Sequence, residues 1–240
     1  MSVIPVWPHD LLIPAEVRPN LVPFTRTGGR SLGGAKPSVR TDLGYWSIDY
    51  AGVLLHSRAQ LRTWEAIKDV LSGSSGRIAI PVWSHQTAPR IGATGSYIAS
   101  PEVPHDDDTE FSDETEYEQG EISVVAHEAV AIGATTIMLR IINAEDDLAG
   151  VLFSYNHALY RTGQVLDVDG DVWTMRVSPS VVATIPAGAS LEFDLPTCLC
   201  NLADDRGMDN GANINGNERV NVSFVQDMQY WNILAVGGEP

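Results

Sequence analysis

The first candidate for chemistry is a pair of glycines with a lysine close behind. The string GGRSLGGAKP holds Gly28, Gly29, Arg30, Ser31, Leu32, Gly33, Gly34, Ala35, Lys36 and Pro37. Gly29 and Gly34 have the spacing of a phosphate loop, whose backbone N–H groups cradle phosphate oxygens at a helix N-terminus. Such a loop needs lysine directly after the second glycine, then a hydroxyl for magnesium. Ala35 stands in the lysine position. Pro37 lacks an N–H and biases Lys36 away from helix. The residues beyond Pro37 read as strand. The stretch is therefore expected to be a glycine-hinged loop and not a nucleotide site. Arg26, Arg30, Lys36 and Arg40 make it basic in an acidic chain, which suits an acidic surface such as a neighbouring subunit. The expected inter-subunit contact comprises Arg26, Gly28, Gly29, Arg30, Ser31, Leu32, Gly33, Gly34 and Lys36.

The second candidate is HDDDTEFSDETEYEQGE, His105 to Glu121. It carries nine of the 31 acidic residues and no Lys or Arg. Asp106, Asp107, Asp108, Glu110, Asp113, Glu114, Glu116 and Glu118 could in principle hold calcium. An EF-hand counted from Asp106 needs glycine at position six and glutamate at position twelve. Phe111 and Tyr117 stand there instead. The segment is expected to be a solvated acidic linker or loop that repels DNA or docks to a basic partner. DVDGDVW, Asp167 to Trp173, also resembles a calcium loop, but Asp169-Gly170 between alternating strands reads more simply as a hairpin turn. LADDRGMDNGANINGNE, Leu202 to Glu218, lacks the calcium-loop order and reads as a turn-rich loop.

Cys198 and Cys200 are the only cysteines. Two apart in a strand, they share one face and suit an apolar core. No second C-x-C or H-x-H run completes a zinc site, and two cysteines make no disulfide framework. The six histidines form no H-E-x-x-H, and no G-x-S-x-G elbow is present. No catalytic, cofactor-binding or metal-binding residue is expected, and the chain reads as a non-enzyme without cofactor. A net charge of −16 excludes a basic nucleic-acid footprint. The opening MSVIPVWPHDLLIP has no signal-peptide pattern, and no apolar run reaches membrane-spanning length. A soluble protein made in a cytoplasm is expected.

These residues need a frame, and 44% hydrophobic content is enough to build one. LVPFT (Leu21 to Thr25) could form a short edge strand. LGYWSIDYAGVLL alternates with period two, as a long strand does. SRAQLRTWEAIKDVLSGSSG is the one clear helix, about 57–72. Ser57 and Gln60 form a capping box, Leu61, Trp64, Ile67 and Leu71 an apolar stripe, and Gly73 a stop. RIAIPVW returns as strand. From Ile122 the candidates are ISVVA, TTIMLRII, GVLFSYN, ALYRTGQVLDV, DVWTMRV, SLEFDLP and RVNVSFVQDM. Turn signals lie at Asn156-His157, Asp169-Gly170 and Pro186-Ala187-Gly188. The expected fold is mainly β. A hub sandwich or barrel (1–100 and 196–240) carries the helix. An acidic linker comes next (101–121). A small β-barrel or sandwich (122–195) is inserted as a peripheral domain.

Four strings in order carry a resemblance. They are VWPHDLLIP, then RTGGRSLGG with GYWSIDY, then LRTWEAIKDVLSGSSGRIAIPVW, and finally GVLFSYNHALYRTGQV with MRVSPSVVATIPAGASLEFDLPTCLCNL. This order resembles distal-tail proteins, the tail-tip hub type of long-tailed bacteriophages. The likeness covers most of the chain outside 100–121. It implies a structural virion protein, assembled in the host cytoplasm. It also implies a homo-oligomeric ring, hexameric in the usual relative, that joins tail tube to tip or baseplate hub around the channel used in DNA ejection. Other tail proteins would be its partners. Sequence-specific nucleic-acid binding and membranes would play no part.

Electrostatics suits that role, since a basic lumen would trap DNA by releasing its counterions. A tail-tube or tail-completion protein is the nearest alternative. A carbohydrate-binding β-sandwich is the alternative from another class. Six tryptophans could line a sugar groove. Most sit in core-like patterns, which leaves Trp7 and Trp231 as the freer ones.

Overall fold

The computed structural model describes residues 4–27, 38–83, 87–90, 102–103, 117–118, 122–211 and 218–238. In chain order the elements are β1 (Glu16–Thr27), β2 (Ser38–Leu55), α1 (Arg58–Leu71), β3 (Ile78–Pro81), β4 (Glu102–Val103), β5 (Tyr117–Glu118) and β6 (Ser123–Ala126). Then come β7 (Thr136–Asn143), β8 (Leu152–Tyr155), β9 (Ala158–Asp169), β10 (Val172–Ser178), β11 (Ser190–Leu191), β12 (Thr197–Leu202), β13 (Glu218–Gln226) and α2 (Met228–Ala235).

The protein is mainly β, as its alternating runs predict. A five-stranded sheet has the order β1-β2-β13-β12-β3, and a six-stranded sheet the order β11-β6-β7-β10-β9-β8. The six-stranded sheet nearly closes into a barrel. Ser154 and Glu192 exchange both backbone hydrogen bonds, at 2.8 and 2.9 Å, across the seam between β8 and the end of β11. Closure removes two open edges. Phe153 stacks on Phe193 at 5.2 Å inside it, with Tyr160 5.4 Å from Phe153.

The five-stranded sheet packs α1 and the N-terminal segment on one face. Trp7 stands edge-on to Tyr50, Trp64 and Phe224 at 5.4, 6.0 and 5.6 Å. Each such pair contributes roughly 0.5–1.5 kcal/mol beyond area burial. The indole N–H groups of Trp7 and Trp64 donate to the carbonyls of Leu12 and Met208. Val6 forms a parallel bridge with Ala79 and covers the edge of β3.

The capping box of α1 is present in full. Gln60 N–H donates to Ser57 Oγ, and Ser57 N–H to Gln60 Oε1. The helix ends where Gly73 predicts: Ser72 is its C-cap, left-handed at φ 45, and Gly73 follows at φ 75. Its buried stripe is narrower than the sequence suggests: Trp64 and Leu71 are buried, whereas Leu61 is exposed. A Cβ on Gly76 would lie 2.5 Å from the Leu71 backbone, so the turn into β3 demands glycine.

Three expectations are corrected. β1 spans twelve residues, well beyond LVPFT. It lies at the sheet edge. Pro19 and Pro23, four apart, take the same backbone orientation there, and their missing N–H groups face away from β2 without loss to the ladder. The strand expected at 219–228 stops at Gln226, and α2 comes directly after it, where no second helix is expected. Asp227 caps it by accepting from Tyr230 N–H at 3.0 Å. Trp7 and Trp231 are 1% and 2% exposed, so neither is free for a sugar.

β12 joins the two cores. Cys198 and Cys200 face the sheet's core, as their spacing predicts, and Leu199 faces the barrel's. The β8–β9 turn docks here. Its Asn156 and His157 both have positive φ, as a two-residue hairpin requires. The His157 carbonyl accepts from Leu199 N–H at 2.8 Å, and His157 Nδ1 lies 2.8 Å from Thr197 Oγ1. No helix among the described residues is long and apolar enough to cross a membrane.

Candidate functional site

The most distinctive surface is the ribbon made by β1 and β2. β13 pairs with β2 only from Ser47 to Leu55. Gln226 Oε1 ends that ladder by accepting from Trp46 N–H. From Ser38 to Tyr45, β1 is the only described strand paired with β2. At about 3.3 Å per residue this stretch reaches about 26 Å. The register slips between Pro23 and Thr25. Such a bulge re-aims the side chains beside it. Phe24, at the bulge, is 46% exposed and lies 5.5 Å from the Tyr45 ring, and Leu43 is 57% exposed. Arg26 and Arg40 belong to the far end of the two strands, where Thr25 pairs with Arg40 and Arg26 with Val39.

A second surface surrounds the β9–β10 hairpin. Gly170 takes φ +60 in its two-residue turn. This is the hairpin expected at Asp169-Gly170. Exposure rises along β9 toward the tip. Asp167, Asp169 and Asp171 are exposed there beside exposed Leu166 and Val168. Ile142 of the neighbouring β7 is exposed as well. Arg140 lies 3.4 Å from Asp171.

A polar groove of about 460 Å³ is lined by Ser74, Arg77, Asn201, Gln226 and Asp227 among others. Arg77 Nε donates to Asp227 Oδ2 at 2.7 Å, and its guanidinium lies 5.1 Å from the Tyr230 ring centre. Asn201 Nδ2 donates to the Gly76 carbonyl. These contacts hold α2 against β3 and β12. Burial pushes the Cys200 thiol well up, with Cys198 adding to the effect, so it is a poor nucleophile at neutral pH. Burial likewise lifts Tyr160 to about 12. No group of three or more His, Cys, Asp or Glu able to hold a metal occurs among the described residues.

Of the basic contact read from the sequence, Arg26 falls in β1, while Gly28, Gly29, Arg30, Ser31, Leu32, Gly33, Gly34 and Lys36 lie outside the described residues. Of the acidic segment, Asp106, Asp107, Asp108, Glu110, Asp113, Glu114 and Glu116 lie outside them as well. Glu118 belongs to β5, with Glu102 of β4 as its register partner, and so sits in a strand where a loop is expected. Sequence reasoning misses Phe24 and Leu43 because LVPFT by itself reads as a short strand with no ribbon to carry it. It misses the apolar residues at the β9–β10 tip because Leu166 and Val168 sit in a run that also reads as core.

No family model matches the chain, and no curated protein matches it.

Proposed function

We propose that the protein is a structural component of a bacteriophage tail. In this reading it forms a homo-oligomeric ring at the distal end of the tail tube, joins tube to tip, and surrounds the DNA channel. The observation that carries the reading is the β1–β2 ribbon, which runs past β13 among the described strands and leaves Phe24 and Leu43 46% and 57% exposed. Exposed apolar side chains on an extended two-stranded arm suit a partner surface better than solvent. The resemblance of the four ordered strings supplies the identity of the assembly. A net charge of −16 supports passage of DNA, because an acidic wall repels phosphates.

The role is mechanical. Ring closure uses two different surfaces on each copy, one contacting the copy ahead and one the copy behind. The purified full chain, alone and with co-expressed tube and tip proteins, should give ring-shaped particles by electron microscopy. It should also give a single multiple of the 26.0 kDa chain by mass measurement. A chain that stays monomeric in both settings overturns the reading.

A further inference from the structure

We propose that Asn210–Gly211 is a self-modification site, at which the chain closes on itself and loses ammonia, and that Glu218 holds this reaction in check. The inference stands apart from the assembly reading above.

The pair sits at the end of an anchored turn. Met208 is 1% exposed, and its carbonyl accepts from Trp64 Nε1. Asp209 pairs with Lys68 and Arg206 at 2.9 and 2.8 Å. Asn210 and Gly211 follow outside any helix or strand, Asn210 half-buried and Gly211 exposed. The Asn210 side chain makes no hydrogen bond among the described residues. Gly211 has no side chain to shield its amide, and a Cβ built there meets nothing nearer than Glu218 Oε1 at 3.8 Å. Asn201 and Asn221 lack this setting. They lie within β12 and β13, followed by the bulky Leu202 and Val222.

The chemistry needs only the chain and water. Gly211 N attacks Asn210 Cγ. The N–Cγ bond forms, the Cγ–Nδ2 bond breaks, and the Gly211 amide proton passes through water to the departing ammonia. The product is a five-membered succinimide. Water then opens either ring carbonyl. One opening leaves an aspartate. The other leaves an isoaspartate, whose backbone runs through the former side chain. Closure between neighbouring residues is intramolecular, so no second reactant has to be gathered.

Glu218 opposes the first step. Gly211 N–H donates to its Oε1 at 3.0 Å. A carboxylate there disfavours a second negative charge on the nitrogen it touches. The bond also ties the Gly211 peptide to the start of β13, so that its plane is not free to turn toward Cγ. Once formed, the product works against the same bond. Either opening adds a carboxylate to a chain already at −16, between Asp209 and the Glu218 contact. Isoaspartate also lengthens the backbone there by one methylene. Modification therefore unlatches the turn from β13 while Met208 stays under Trp64.

The test follows the full chain in mildly alkaline buffer by peptide mass spectrometry. Fragmentation separates Asn210 from Asn215 and Asn217, which share its tryptic peptide. Labelling by isoaspartyl methyltransferase reports isoaspartate. Asn210 should convert while Asn201 and Asn221 stay intact. Gly211→Ala should slow conversion roughly tenfold, because its methyl crowds the attacking nitrogen. Glu218→Ala should speed it by about tenfold, and Glu218→Gln by less, since an acceptor remains without the charge. Unchanged thermal melting shows that the variants fold, and where Glu218→Ala melts early, Glu218→Gln decides. In Asn210→Asp the Gly211 amide should exchange with solvent faster than in wild type. Wild-type rates in both Glu218 variants overturn the guard. No conversion at Asn210 in any of these chains, or aspartate with no isoaspartate, overturns the site. Equal exchange in Asn210→Asp overturns the unlatching.

Discussion

Trp46 of the five-stranded sheet gives its indole N–H to the Leu159 carbonyl of the barrel at 2.8 Å, and the Arg161 guanidinium lies 5.1 Å from the centre of the same ring. Sheet and barrel are thus tied through one fully buried side chain. Trp46→Phe keeps most of the packing but leaves a buried carbonyl without its donor. The expected loss is about 1–3 kcal/mol. Urea denaturation of the variant beside wild type checks it. A loss near zero would mean that the bond adds nothing to the junction.

His157 makes the same junction pH-sensitive. Burial holds its imidazole below the usual histidine range. The folded protein therefore binds a proton there less readily than the unfolded chain does. Stability from this group is complete above the unfolded pKa, about 6.5, and declines as pH falls through that value toward the lower folded one. His157→Asn tolerates the left-handed turn and removes the titration. Thermal melts of wild type and variant from pH 7.5 to 5 should diverge at the acid end, with wild type losing more. Parallel curves would remove His157 as a cause.

The cysteines report on opening. Cys198 and Cys200 are fully buried, out of reach of a reagent in solution, and burial pushes the Cys200 thiol up. Ellman's reagent should find no reactive thiol in the native protein and two in denaturant. Labelling in intermediate urea should follow the unfolding transition. Fast labelling of the native protein at neutral pH would show that β12 opens locally.

Asp227 serves two elements at once. It caps α2 through Tyr230 N–H and accepts from Arg77 Nε. Asp227→Ala removes both and should cost about 1–2 kcal/mol. Asp227→Asn keeps a capping oxygen and should lose less. Equal losses in denaturant titrations would assign the effect to the ion pair rather than the cap.

Much of the frame is legible in the sequence because it is written locally. Ser57 and Gln60 satisfy each other within one helical turn, and a two-residue spacing alone sends Cys198 and Cys200 to one face. Asn156-His157 and Asp169-Gly170 announce hairpins by their turn chemistry. Other parts depend on partners distant in sequence. β1 is extended because β2 lies beside it, and its two prolines hide that from any period. α2 is too short to show a stripe, and its cap is an aspartate that also continues a strand-like run. Trp7 sits in a proline-rich segment with no pattern, yet Tyr50, Trp64 and Phe224 enclose it. The candidate surfaces are legible only in their charge. Which apolar residues stay outside is decided by where the ribbon and the hairpin outrun their sheets.

Pro81 at the end of β3 lies opposite Thr197 at the start of β12. Val82 N–H also bonds to the Pro196 carbonyl at 2.7 Å. The chain therefore departs from the first sheet and returns to it at neighbouring points. Whatever lies between them begins and ends at a fixed doorway, so its length adds little closure entropy. The barrel is in this sense a replaceable cassette. Another fold spliced into the doorway would have to supply new acceptors for the Trp46 indole and the Leu199 N–H, and a new cover for Leu199 and Trp231.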